Sequence, residues 1–154
     1  MQSKDIVTIV QNALQYLGYT DAEIDVLQDT EIDLLIIDVA ISEPKILIGH
    51  NGEGLRALNH VVRQLCENTG TERIENNFMV DINGYSRKHI DMLKTRARIV
   101  ADRVQSFKKD IPMKPMSAYD RLLIHSFLNS LTNIATESHG EGSERHIVVT
   151  YKES

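Results

Sequence analysis

The sequence predicts an α+β protein of two small modules joined by a long helix. Three observations predict it. Apolar residues recur at helical spacing in some stretches and run alternating or nearly unbroken in others, so helices and strands are mixed along the chain. Charge is divided unevenly: residues 1–83 hold 14 Asp and Glu against 5 Lys and Arg, while residues 84–154 hold 8 against 12. Such asymmetry marks modules of different character. Residues 85–109 carry a helical apolar stripe long enough to join them. The modules are therefore placed at 1–83 and 110–154, with the joining helix at 84–109.

Composition narrows the class. With 154 residues, 42% hydrophobic and 25% charged, the chain has the makeup of a folded protein. No stretch approaches the ~20 apolar residues of a membrane span, and no secretory-signal pattern opens the chain. The single cysteine, Cys66, can form no internal disulfide and lies in an apolar helical pattern, so it reads as a core thiol. Its solitude fits a reducing, cytoplasmic setting.

Each element has its own signal. In residues 4–17, Ile6, Ile9, Val10, Ala13, Leu14 and Leu17 keep the i, i+3, i+4, i+7 spacing of a helix face, with Ser3 as N-cap and Gly18 at C′. A short strand is expected over 23–28 and a turn at Asp29-Thr30. Residues 32–41 are the strongest strand, apolar enough to lie centrally in a sheet until Pro44 ends it. One helical turn over 45–48 leads into a glycine loop. A second helix covers 52–68, with Leu55, Leu58, Val62, Leu65 and Cys66 as its apolar stripe, Arg56, His60 and Arg63 on another face, and Gly70 as its stop. Phe78–Ile82 reads as a strand, and Asn83-Gly84 breaks it.

The long helix places Ile90, Leu93, Ala97, Val100, Ala101, Val104 and Phe107 on one stripe. Its eight Lys and Arg against two Asp gather Arg87, Lys94, Arg98 and Lys109 along one flank. Residues 111–116, with two prolines, suit an edge strand or extended linker. Ser117 and Asp120 resemble a capping box that opens a helix to about residue 130, with Leu123, Ile124, Phe127, Leu128 and Leu131 facing a core. Strands over 134–139 and 145–151, joined by a turn at Gly140-Glu141-Gly142, finish the chain.

Two motifs carry candidate chemistry. Ile46–Leu55 reads I-L-I-G-H-N-G-E-G-L, and its G-x-x-G lets backbone approach a ligand because two positions lack a Cβ. The element order around it, helix, strand, strand, short helix, loop, helix, strand, matches a type II KH arrangement. There such a loop clamps the backbone of a single strand. The candidate contacts are Gly49, His50, Asn51 and Gly52, with Ile48 and Leu55 flanking a groove for bases. In the second motif, Arg121 and His125 stand four apart on one helix face, where a guanidinium fork and an imidazole can meet one phosphate. Arg87, Lys94 and Arg98 would form a phosphate track. With 5% aromatic residues and no Trp, stacking platforms are few; Tyr85 and Tyr119 lie nearest the motifs, as stacking or as core residues.

Catalysis has little support. Ser138 and His139 alternate across a strand, which separates a nucleophile from its base. The six histidines lack metal-ligand spacing, and no Walker or Rossmann loop is present, so no enzyme, metal or cofactor is expected.

Four stretches bring these motifs together: L-I-G-H-N-G-E-G-L-R-A-L (47–58), V-D-I-N-G-Y-S-R (80–87), M-K-P-M-S-A-Y-D-R-L-L-I-H (113–125) and T-E-S-H-G-E-G-S-E-R-H-I-V-V (136–149). In these the chain resembles the Jag (SpoIIIJ-associated, KhpB) family, which joins a KH domain to an R-three-H domain named for Arg-x-x-x-His. That motif falls here on Arg121 and His125. The resemblance implies binding of single-stranded RNA, or of single-stranded DNA, and a bacterial post-transcriptional role in cell elongation, division and shape. It also implies a small single-KH protein as partner. The alternative is a protein-interaction module whose KH half dimerises or pairs with another KH protein, which the acidic first half suits. Two departures stand out. The family's basic residue between the loop glycines is replaced by His50 and Asn51, and its usual Thr after Glu53 is Gly54, expected to weaken the first helical turn. The chain begins almost directly with the first helix of the KH module, as a short form lacking the N-terminal Jag domain would.

Overall fold

The computed structural model describes residues 2–69 and 77–153. They form a mixed α+β structure that divides into two compact units, Met1–Arg87 and Lys88–Ser154.

In the first unit, α1 (Ser3–Tyr16) buries Ile6, Val10 and Leu14, one residue per turn on a single face. Its N-cap is Gln2, not the expected Ser3. The Asp5 carboxylate accepts the Gln2 backbone N–H at 3.0 Å, closing a reciprocal capping box. A cap at Ser3 would have put apolar Ile6 at the position where the box needs an acid. Gly18 takes φ +91° at C′, where Tyr19 N–H reaches back to Leu14 O at 2.9 Å. Leu17, expected on the buried stripe, is exposed because it sits at the C-cap, beyond the last helical turn.

Strands β1 (Glu23–Asp29) and β2 (Leu34–Ala40) pair antiparallel, and β2 pairs parallel with β3 (Phe78–Ile82), in the order β1-β2-β3. The apolar β2 is central, as its composition predicts. One face of β2 and β3 places Ile37, Val39, Phe78, Val80 and Ile82 in a core with α1 and with α3 (Glu53–Asn68). Burial pushes the Cys66 thiol in that core above its ordinary pKa. Leu65, expected on the same stripe, is exposed. Helix α3 caps at Thr69, and the stop assigned to Gly70 lies outside the described residues.

The opposite face sets Asp38 beside Asp81 in register. Arg87 joins them, with Nη2 at 2.9 Å from Asp38 and Nε at 3.3 Å from Asp81. The outer edge of β3 is met by side chains of α3. The Asn59 amide donates to Val80 O at 2.9 Å and accepts from Val80 N–H at 2.7 Å, and Arg63 donates to Phe78 O at 2.7 Å.

Helix α4 (Tyr85–Phe107) begins at the end of the first unit and continues into the second. Ile90, Leu93, Ala97, Ala101 and Val104 are buried, as the stripe predicts. Phe107 is 69% exposed, because the helix ends at this residue and Lys108 turns the chain with φ +52°. Strand β4 (Ile111–Pro112), helix α5 (Ala118–Leu128) and strands β5 (Ile134–His139) and β6 (His146–Tyr151) complete the second unit. The sheet order is β4-β6-β5, all antiparallel, so the proline-bearing strand takes an edge where its missing N–H costs least. Leu123, Ile124, Phe127 and Leu128 of α5 are buried with Ile134, Ile147 and Val149.

Candidate nucleic-acid interface

The first candidate site is the loop between α2 (Lys45–Ile48) and α3. Gly49 has φ +73°, Asn51 φ +52° and Gly52 φ +78°, so the chain follows a left-handed path that glycine tolerates and Asn accepts at modest cost. Both glycines also meet the chain's own atoms. A Cβ on Gly49 would lie 2.9 Å from Gly54 N, and one on Gly52 would lie 2.8 Å from Tyr85 Cε1. The outward groups of the loop are therefore the exposed side chains and backbone of His50 and Asn51. The Asn51 amide donates to His50 Nε2 at 3.2 Å, and Arg56 Nη1 donates to Asn51 O at 2.9 Å, bracing the loop from the second turn of α3. The loop ends at the N-terminus of the 16-residue α3, whose free N–H groups and dipole favour an anion.

The two groove residues separate. Ile48 is half-buried, but Leu55 is 3% exposed and belongs to the core beside Leu58 and Val62. Leu55 therefore supports the loop from beneath and offers no surface to a base.

The second site is on α5. Ser117 Oγ accepts from Asp120 N–H at 3.2 Å and fixes the helix start, as the capping pattern predicts. Arg121 follows in the first turns, where a cation opposes the helix dipole and raises the local positive potential. Its Nη1 donates to Met116 O at 2.7 Å, which orients the guanidinium and leaves most of its five N–H donors for a ligand. His125, one turn on, is hydrogen-bonded through Nδ1 to the Thr136 hydroxyl of β5, so Nε2 is the nitrogen left for a ligand.

The basic flank of α4 is not one surface. Arg87 is held by Asp38 and Asp81 in the first unit. Lys94 and Arg98, in the second, stand over the Phe127 ring at 5.9 and 5.2 Å. Phe127 is two residues from His125, hence about 200° round the helix. The Lys94–Arg98 pair and the Arg121–His125 row therefore use different faces of α5. Side-chain commitments of this kind cannot be seen on a helical wheel.

Two contributors escaped the sequence reading of the sites: Arg56 and Thr136 act through hydrogen bonds between separate elements. Tyr85, one of the two aromatics placed nearest the motifs, covers a glycine 33 residues before it.

Comparison with known proteins bears on both units. Residues 91–151 match the R-three-H domain family. The chain is 37% identical over 109 residues to the RNA-binding protein KhpB of Bacillus subtilis, covering 70% of this chain and 51% of that protein. The KhpB of Clostridium symbiosum is 29% identical over 107 residues, 70% of this chain and 47% of that one. The KhpB of Streptococcus pneumoniae is 27% identical over 151 residues, 92% of this chain and 44% of that one. The chain thus spans about half the length of these curated relatives. It carries an R-three-H domain over residues 91–151 and is a homologue of proteins named RNA-binding protein KhpB.

Proposed function

We propose that this protein binds single-stranded RNA without catalysing a reaction on it, and binds single-stranded DNA by the same contacts. The observation that carries the reading is the Gly49–Gly52 loop, whose left-handed backbone is braced by Arg56 and opens onto a helix N-terminus. Its surroundings support a type II KH assignment for the first unit: the element order, the antiparallel β1-β2 and parallel β2-β3 pairings, and the loop between α2 and α3. In the second unit Arg121 and His125 supply the phosphate contact. The relatives' name and bacterial sources support RNA binding in a bacterial cytoplasm; the Jag resemblance adds a post-transcriptional role tied to elongation and division.

The loop has no permanent cation, so the Arg121–His125 row is the stronger phosphate contact. Affinity for an eight-nucleotide RNA should fall as salt rises, because each neutralised phosphate releases counterions. Arg121→Ala with His125→Ala should weaken binding more than His50→Ala with Asn51→Ala. Fluorescence anisotropy at several salt concentrations measures both. Absence of binding at low salt, or a flat salt response, refutes the proposal.

A second reading is favoured by β1. Its residues are mostly exposed, it carries Glu23, Asp25 and Asp29, and among the described residues no strand pairs with its outer edge. A second copy or a small single-KH protein would pair there by strand addition.

A further inference from the structure

We infer that Tyr85 is a base-stacking residue beside the Gly49–Gly52 loop, an inference that rests on the nucleic-acid reading above. The aromatic ring lies directly against the loop. A Cβ built on Gly52 would come within 2.8 Å of ring Cε1, 3.3 Å of the hydroxyl and 3.4 Å of Cζ. The residue nevertheless remains 42% exposed. A large aromatic against a glycine backbone, half open to solvent, is an unusual use of apolar area unless something covers it.

The chain holds Tyr85 from both sides. Before it, the Asn83 side chain bonds both the N–H and the C=O of Ile41, each at 2.9 Å. After it, the fully buried Asp81 accepts from Ser86 N–H at 2.8 Å and from Arg87 N–H at 3.2 Å. The first turn of α4 is therefore pinned to the sheet, and the ring's place beside the loop is set before a ligand arrives. Preorganisation lowers the ordering cost of binding.

Chemistry decides what such a group receives. Backbone amides and a helix N-terminus attract phosphate, and a base attached to the next sugar needs a flat apolar partner. An aromatic face accepts any base by stacking, so the contact adds affinity without demanding a sequence. Stacking adds affinity that does not depend on charge, at a loop where His50 and Asn51 bring no permanent cation. Of the exposed aromatic residues described in the first unit, Tyr16 and Tyr85, only Tyr85 abuts the loop.

The test compares an octamer of uridylate with an abasic octamer of the same length and charge. Wild type should prefer the uridylate. Tyr85→Leu should weaken uridylate binding roughly 5- to 150-fold, the range of stacking on one aromatic, and leave the abasic affinity within about two-fold. Tyr85→Phe, which keeps the ring, should stay within about two-fold of wild type for both. The protein has no tryptophan, so Tyr85→Trp introduces a single one, whose emission uridylate should quench and the abasic strand should not. Equal loss for both strands in Tyr85→Leu would show a purely structural ring. Loss in Tyr85→Phe equal to that in Tyr85→Leu would make the hydroxyl the contact. Either result, an unquenched tryptophan, or wild-type binding that does not distinguish the strands overturns the inference and leaves the nucleic-acid reading standing. No wild-type binding to either strand removes both.

Discussion

A Cβ on Gly54 would run into the carbonyl oxygen of Leu47 and lie 3.0 Å from Ile48 C and O. The propensity argument treats this glycine as a weak spot in the first turn of α3, and the structure corrects it. Gly54 is where α2 and α3 come backbone to backbone, and the missing side chain is what allows the approach. Gly54→Ala should therefore destabilise the protein despite the better helix propensity of alanine, by about 1–3 kcal/mol as overpacking usually does. A lower denaturation midpoint with an unchanged slope would bear this out, whereas a gain in stability would restore the propensity view. Residue by residue, the sequence located the two candidate motifs and lost their commitments. That Arg121 and His125 share one helix face was legible from spacing, but the bonds to Met116 O and Thr136 depend on which elements meet in space. Leu55 shows the same limit, because a heptad-like stripe gives one face and the three-dimensional core decides how wide that face is.

Among the elements, strands and helices were read almost to the residue where period and punctuation agreed. Strand β2 stands inside its expected run, and β5 has its expected bounds. Caps were harder, as Gln2 and Asp5 show, because a reciprocal pair outweighs the rank of a single residue type. The start of α4 was legible as a break at Asn83-Gly84, but its anchor was not. Asp81 is fully buried, accepts four hydrogen bonds from Ile82, Ser86 and Arg87, and shares Arg87 with Asp38. Asp81→Asn removes the charge that Arg87 and the helix start are built around. Breaking a buried pair costs about 3–5 kcal/mol; Arg87 is about one-third exposed, so a loss of about 2–3 kcal/mol is expected. Chemical denaturation of the variant measures it, and a change under about 0.5 kcal/mol would mean that the ion pair is incidental to the fold.

For the whole molecule, the uneven charge that first separated the modules in the sequence is also a functional variable. The acidic stretch opposes RNA approach at low ionic strength, and the effect fades once the Debye length falls to about 10 Å near 0.1 M salt. Glu23→Gln with Asp25→Asn, both on exposed β1 positions, should speed RNA association at low salt and converge with wild type as salt rises. Stopped-flow rates across a salt series would detect this, and identical rates at low salt would show that the first unit's charge does not reach the binding event. The change in composition at residue 83 lies close to the division between Arg87 and Lys88. The affiliation of the long helix was not legible, since a stripe records that a face is covered and not by what.

The side chains along β3 carry one more implication. Asn59 imitates a neighbouring strand for Val80, Arg63 occupies Phe78 O, and Ile82 N–H is taken by Asp81. Among the described residues these side chains obstruct this edge to an incoming chain, which leaves β1 as the open edge of this sheet. Two copies that met through β1 would each use up that one opening. Association through this sheet then halts at a pair and does not propagate into a fibre.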